Sequence, residues 1–160
     1  MMETGMTQRL NAFQTAPDAY AAMRGLQDYV NQSTLEHSLQ ELVKIRASQL
    51  NRCAYCLHMH MADARKAGES EARMALLSAW EESELYTPRE RAALRWTEEL
   101  TRLTERSPSD EAFAELREHF SEKEIVDLSV AIGMINVWNR VNAGFRTRHP
   151  QDRRRETAAA

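Results

Sequence analysis

Asn51-Arg52-Cys53-Ala54-Tyr55-Cys56-Leu57-His58-Met59-His60-Met61-Ala62-Asp63-Ala64-Arg65-Lys66-Ala67-Gly68 decides how the chain is read. The run reads as one helix over about Arg52–Ala67, with Gly68 as its stop. A helix turns ~100° per residue. With Cys53 at zero, Cys56 lies at about 300° and His60 at about 340°, a stripe of roughly 60°. Leu57, Ala64 and Ala67 share that stripe, so it faces inward. Tyr55, His58, Arg65 and Lys66 fall on the opposite, more polar side, and His58 is expected to be exposed.

Asn51 is the expected N-cap, which places Cys53 in the first turn. Free N–H groups and the helix dipole stabilise an anion there. A thiolate is such an anion, so a thiol pKa below the free value of ~8.5 is expected. His60 stands one turn after Cys56 and can take the thiol proton directly or through a water. A base in reach and a second thiol to resolve the oxidised product are what an activated thiol nucleophile requires. Structural zinc needs four ligands around one centre, and Cys53 and His60 lie ~10 Å apart along the axis at ~1.5 Å per residue. No metal is therefore expected. A c-type haem needs histidine directly after the second cysteine, where Leu57 stands. Two inert buried cysteines remain open as an alternative.

Helix starts recur on both sides of this stretch. Ser33-Thr34-Leu35-Glu36, Thr87-Pro88-Arg89-Glu90 and Ser121-Glu122-Lys123-Glu124 read as capping boxes, and Ser107-Pro108-Ser109-Asp110 is a weaker version. They divide the chain into about seven helices: Asp18–Val30, Thr34–Leu50, Arg52–Ala67, Glu71–Glu82, Pro88–Leu103, Ser109–Phe120 and Glu122–Arg140. No segment alternates as a strand, and only five glycines and four prolines interrupt the chain. The expected fold is an all-α compact bundle over 17–150, preceded by an N-terminal segment 1–16 and followed by a disordered tail 151–160. Ile125, Val126, Leu128, Val130, Ala131, Ile132, Met134, Ile135, Val137 and Trp138 cover nearly the whole circumference of the last helix. Such a helix is central or covered by partners, so a homo-oligomer is expected.

The net charge of −3 and pI near 6.0 leave no basic field for nucleic acid. Arg153-Arg154-Arg155 reads as a solvated tail. No apolar run approaches the ~20 residues that span a bilayer. Met1-Met2-Glu3-Thr4-Gly5-Met6 has no signal-peptide pattern. The cytoplasm is the expected location, where a close cysteine pair reads as redox-active or catalytic rather than as a structural staple.

In the preceding helix, Leu35, Leu39, Leu42, Ile45 and Leu50 form a stripe with Arg46 in its middle. A buried guanidinium there needs a carboxylate or carbonyls; alternatively its head snorkels to water. Glu41 lies on the flank, where angle alone makes it solvated, although helix packing could bring it to His60. His37, His119 and His149 belong to no evident constellation.

From Glu41-Leu42-Val43-Lys44-Ile45-Arg46-Ala47-Ser48 through Cys53-Ala54-Tyr55-Cys56-Leu57-His58-Met59-His60, the sequence resembles the alkylhydroperoxidase AhpD-like core of the carboxymuconolactone decarboxylase superfamily. Glu41, Cys53, Cys56 and His60 fit its pattern without a gap. Asp63–Glu69 and Ile135-Asn136-Val137-Trp138-Asn139-Arg140 also look like the family. The resemblance implies an all-α fold assembled as homotrimers or homohexamers. It implies a cofactor-free peroxidase acting on a small-molecule hydroperoxide. Cys56 attacks, Cys53 condenses with the sulfenic acid, Glu41 and His60 relay the proton, and a dithiol or protein reductant resets the pair. Tyr55 stands where the best-studied type of the family has histidine, and tyrosine is a poor base near neutral pH. A redox sensor without turnover and a helical assembly protein are the rival readings.

Overall fold

The computed structural model describes residues 6–152. Among them the regular elements are all helical: α1 (Ala12–Thr15), α2 (Pro17–Asn31), α3 (His37–Leu50), α4 (Ala54–Lys66), α5 (Glu71–Leu76), a 3₁₀ segment (Leu77–Glu82), α6 (Pro88–Thr101), α7 (Asp110–His119) and α8 (Glu122–Gly144). The seven expected helices are all present, with ends shifted by up to three residues and three larger changes. The N-terminal segment contributes the short α1. The expected helix Glu71–Glu82 gives way after Leu76 to the 3₁₀ segment, in which Ala79 leaves helical geometry (φ −124°, ψ 33°). The last helix runs on past Arg140 to Gly144.

The capping boxes at Thr87/Glu90 and Ser121/Glu124 form in full, and Ser109 caps α7. The one at Ser33/Glu36 does not. Ser33 instead donates to the Val30 carbonyl at 2.7 Å and closes α2. Glu36 turns its carboxylate to Arg89, which also bonds Glu124, so this pair ties α3 to α6 and α8. A distant arginine has outcompeted a local N–H.

Helix α3 is central. Every residue from Leu39 to Ser48 is buried. One side of it packs Leu39 and Val43 against Ala93 and Trp96 of α6, Leu116 of α7 and Leu128 and Ile132 of α8. The other packs Leu42 and Ile45 against Ala64 of α4, Met74, Leu77, Trp80 and Leu94. At ~1.5–3 kcal/mol per fully buried large apolar side chain, this double packing is what forces the polar residues of α3 inside. Arg46 stays in, bonding Glu98 through Nε at 2.8 Å and Gln49 through Nη1 at 3.1 Å. Glu98 also accepts from Trp80 Nε1 at 2.8 Å. Helix α8 is packed by α2, α3, α4 and α6 of its own chain, leaving Val126 and Val137 as its exposed large apolar residues.

The N-terminal segment is pinned to the end of α8: Arg9 donates its backbone N–H to Phe145 O at 2.9 Å and Nη1 to Gly144 O at 3.1 Å. Residues 150–152 are helical, and the rest of the expected tail, Arg153-Arg154-Arg155 included, lies outside the described residues. No described helix is long and apolar enough to cross a membrane.

Candidate active site

Three residues join α3 to α4, and each has a separate backbone task. Asn51 is the C-cap of α3, not the N-cap of α4 as the sequence suggested. Arg52 follows in the left-handed region (φ 53°) and Cys53 is the N-cap of α4. Arg52 N–H bonds Gln49 O at 3.2 Å and Cys53 N–H bonds Ser48 O at 3.0 Å. This is the paired closure of a Schellman motif. Asparagine is released from capping because sulfur does the job: Cys53 Sγ accepts from Cys56 N–H at 3.4 Å.

Cys53 is therefore fixed by backbone at both ends of a tight link. Both cysteines are free and buried. The side chain of Cys56 bonds Cys53, and this is the largest influence pulling the Cys53 pKa from 9.0 to about 7, against desolvation, with the Cys56 N–H and Asn139 assisting. Cys56 moves the other way: the hydrogen bond it gives Cys53, then burial, then the Cys53 charge all raise it. In the reduced pair the negative charge is thus favoured on Cys53 and the proton on Cys56.

Behind the pair lies a buried charge cluster. Glu41 Oε2 meets His60 Nδ1 at 3.1 Å, and Glu41 Oε1 accepts from Lys44 Nζ at 2.9 Å. All three residues are buried. Burial raises the Glu41 pKa, but the His60 hydrogen bond and the Lys44 charge outweigh it and hold the carboxyl at about 2. Glu41, which helical angle alone sends to solvent, is thus a buried anion facing His60. Among the described residues no direct hydrogen bond joins His60 to either sulfur.

Helix α8 closes the site with amides. Asn139 Nδ2 bonds Ser48 Oγ at 3.0 Å while its Oδ1 accepts from Asn51 Nδ2 at 2.9 Å. Asn142 Nδ2 donates to Trp138 O at 3.0 Å and approaches Cys56 Sγ at 3.7 Å. The sequence reading gave no role to Lys44, Asn139 or Asn142. The available signals were Glu41-x-x-Lys44 inside an apolar helix and Asn139-x-x-Asn142 on the last helix, both spaced to share a face.

A pocket of about 250 Å³ opens in front of Cys53, lined among others by Arg52, Tyr55, Asn142, Arg146 and His149. His149 thus joins the site from the C-terminal turn. It stacks on His58 with ring centroids 5.5 Å apart, so His58 is half-buried rather than solvated. Glu41, His60 and Asp63 place ligand atoms within 4.8 Å of one another and could hold a cation. Lys44 already compensates the Glu41 charge there, and His60 occupies its other oxygen, which weakens that use of the cluster.

The carboxymuconolactone decarboxylase family model matches residues 17–99. The uncharacterized protein YdfG of Bacillus subtilis is 41% identical over 143 residues, covering 89% of this chain and 97% of that one. A crystal structure from Agrobacterium tumefaciens, of a protein of unknown function with a suggested role in antioxidant defence as AhpD, superposes with a TM-score of 0.88. It is 46% identical and covers 90% of this chain and 99% of that one. The debrominase Bmp8 shares the fold at a TM-score of 0.74 and 22% identity, with 89% of this chain and 76% of that one covered.

Proposed function

Since the chain belongs to the carboxymuconolactone decarboxylase family and has the AhpD-like all-helical fold, we propose that it is a thiol-dependent reductase of small organic hydroperoxides that needs no cofactor. The observation that carries the reading is the polarised cysteine pair: a pocket-facing Cys53 held near pKa 7 by a protonated Cys56 directly behind it. The family fold alone does not choose the reaction, because a debrominase shares it.

The Cys53 thiolate attacks the terminal, hydrogen-bearing oxygen of the hydroperoxide. The S–O bond forms, the O–O bond breaks, and the alkoxide takes a proton to leave as the alcohol. Cys56 then attacks the Cys53 sulfenic acid, losing its proton as a disulfide and water form. A dithiol, free or carried by a protein, returns both electrons by exchange and leaves as its own disulfide. His60, oriented by Glu41, receives the Cys56 proton through a bridging water. The attack is assigned to Cys53, the reverse of the order the resemblance implies, because Cys53 lines the pocket, which Cys56 does not, and its sulfur takes the Cys56 N–H, which favours a thiolate there.

The test is a single turnover of reduced protein with tert-butyl hydroperoxide, with dimedone trapping and mass spectrometry. Cys56→Ser should accumulate a sulfenic acid on Cys53, and Cys53→Ser should react slowly. Rapid sulfenic acid formation on Cys56 in Cys53→Ser returns the attack to Cys56. A parent protein whose two thiols survive the hydroperoxide sinks the peroxidase reading. Disulfide formation without multiple turnovers by any dithiol identifies the sensor instead. The assembly expected of the family, a homotrimer or homohexamer, is read by light scattering on the same sample.

A further inference from the structure

Three described helices end in the same paired hydrogen-bond closure, and the residue after the C-cap differs in a telling way. At the end of α4 that residue is Gly68, with φ +88°. Gly68 N–H bonds Arg65 O and Glu69 N–H bonds Ala64 O, both at 3.0 Å. At the end of α3 the same position is Arg52, and at the end of α8 it is Arg146. Arg146 N–H bonds Ala143 O at 3.2 Å and Thr147 N–H bonds Asn142 O at 2.9 Å. Both arginines have φ 53°, and among the described residues they are the only non-glycine residues with positive φ. Glycine takes this conformation without steric penalty, whereas a side chain is strained in it. Such strain persists where the side chain is needed.

Both arginines line the pocket in front of Cys53. Neither side chain has an ion pair or hydrogen bond among the described residues. The described carboxylate of the pocket, Asp152, is engaged by His149 Nε2 at 3.0 Å. The pocket therefore presents two strained, uncommitted guanidinium groups beside a thiolate.

A second, independent feature lies in the same pocket. Asn142 is buried and lines it, yet its Oδ1 has no donor. The amide orientation is settled by its neighbours, since Nδ2 faces the Trp138 carbonyl, which can only accept. A buried acceptor without a donor calls for a partner, and the O–H of a hydroperoxide supplies one. The pocket, of about 250 Å³, has room for a small hydroperoxide.

We propose that this pocket binds a small hydroperoxide bearing a carboxylate. Arg52 and Arg146 hold the carboxylate, and Asn142 Oδ1 accepts from the hydroperoxide O–H, which presents that oxygen to Cys53. The proposal rests on the peroxidase reading for its substrate; the anion site can be tested without it.

The discriminating variants replace each arginine by glycine. Arg52→Gly and Arg146→Gly remove the charge and relieve the backbone, so both should fold and melt at or above the parent's temperature. First, Cys53 of the reduced protein is alkylated with iodoacetate and with iodoacetamide, an anionic and a neutral probe of equal reach. The iodoacetate-to-iodoacetamide rate ratio should fall about tenfold in the double variant, as expected for losing two partly exposed charge contacts. An unchanged ratio overturns the anion site, whatever the protein does with peroxides. Second, single-turnover oxidation is compared for a tertiary hydroperoxide carrying a carboxylate and for its amide. The parent should favour the carboxylate about tenfold and the double variant should not. A preference seen only when a carboxylate-bearing dithiol and its amide reduce the disulfide would move the anion to the reductant and overturn the substrate assignment. Reaction with neither hydroperoxide, with the alkylation ratio behaving as expected, condemns the peroxidase reading while leaving the anion site standing.

Discussion

Replacing Cys56 by alanine should raise the pKa of Cys53, although the charge that titrates is on the other residue. The Cys56 side chain is the largest influence lowering Cys53 from 9.0 to about 7. At 1.36 kcal/mol per tenfold, that drop corresponds to about 3 kcal/mol in favour of the thiolate. A pKa of about 7 makes Cys53 half thiolate at pH 7, whereas 9.0 leaves roughly one molecule in a hundred. Desolvation opposes the shift while the Cys56 N–H and Asn139 assist it, so losing the side-chain donor alone removes only part of the effect. Iodoacetamide alkylation of Cys53 at pH 7 should therefore slow at least about fivefold in Cys56→Ala. Cys56→Ser, which keeps a hydroxyl donor, should stay near the parent. The measurement is the rate as a function of pH, with the label located by mass spectrometry. If Cys56→Ala titrates with the parent, the helix N-terminus and not the second thiol controls Cys53, and the polarised-pair argument fails.

Lys44→Met should destabilise the protein by about 3–5 kcal/mol in urea titrations, because a buried carboxylate loses its lysine partner; a loss below about 1 kcal/mol would show that water reaches Glu41. The Glu41 pKa is lowered on folding from 4.5 to about 2. Its stabilising contribution is thus present above pH 4.5 and lost as pH falls through about 2, a loss of about 3 kcal/mol. Glu41→Gln should flatten that part of the stability profile. Asn139→Ala removes bonds to Ser48 and Asn51 and a donor to Cys53; about 1–3 kcal/mol of stability should go with it, and Cys53 alkylation at pH 7 should slow. Gly68→Ala meets no neighbour within 4 Å, so its expected cost of about 1–2 kcal/mol in Tm or urea measurements is backbone strain alone.

Much of the fold was legible in the sequence because it is written in local rules. Thr87/Glu90, Ser121/Glu124 and Ser109 start helices where a hydroxyl can reach the first free N–H groups, and Gly68 stops one where only glycine is unstrained. The Cys53, Cys56 and His60 spacing by itself placed three reactive groups on the buried side of one helix, and all three are buried. What the local rules could not decide were the competitions between near and distant partners. Ser33/Glu36 reads as a cap, but Arg89, 53 residues away, takes the carboxylate. Asn51 reads as a cap, but Asn136 and Asn139 of α8 accept from its amide, and Cys53 caps in its place. Glu41 reads as solvated by helical angle, because angle cannot reveal that α3 is covered on both sides. Only the packing of α4, α6 and α8 around α3 buries Glu41 with Lys44 and His60. The sequence determined the chemical groups and the helix that carries them. The tertiary structure decided that Cys53 lines a pocket together with Arg52 and Arg146 and that Glu41 is buried on His60, because burial and long-range hydrogen bonds exist only after the helices have packed.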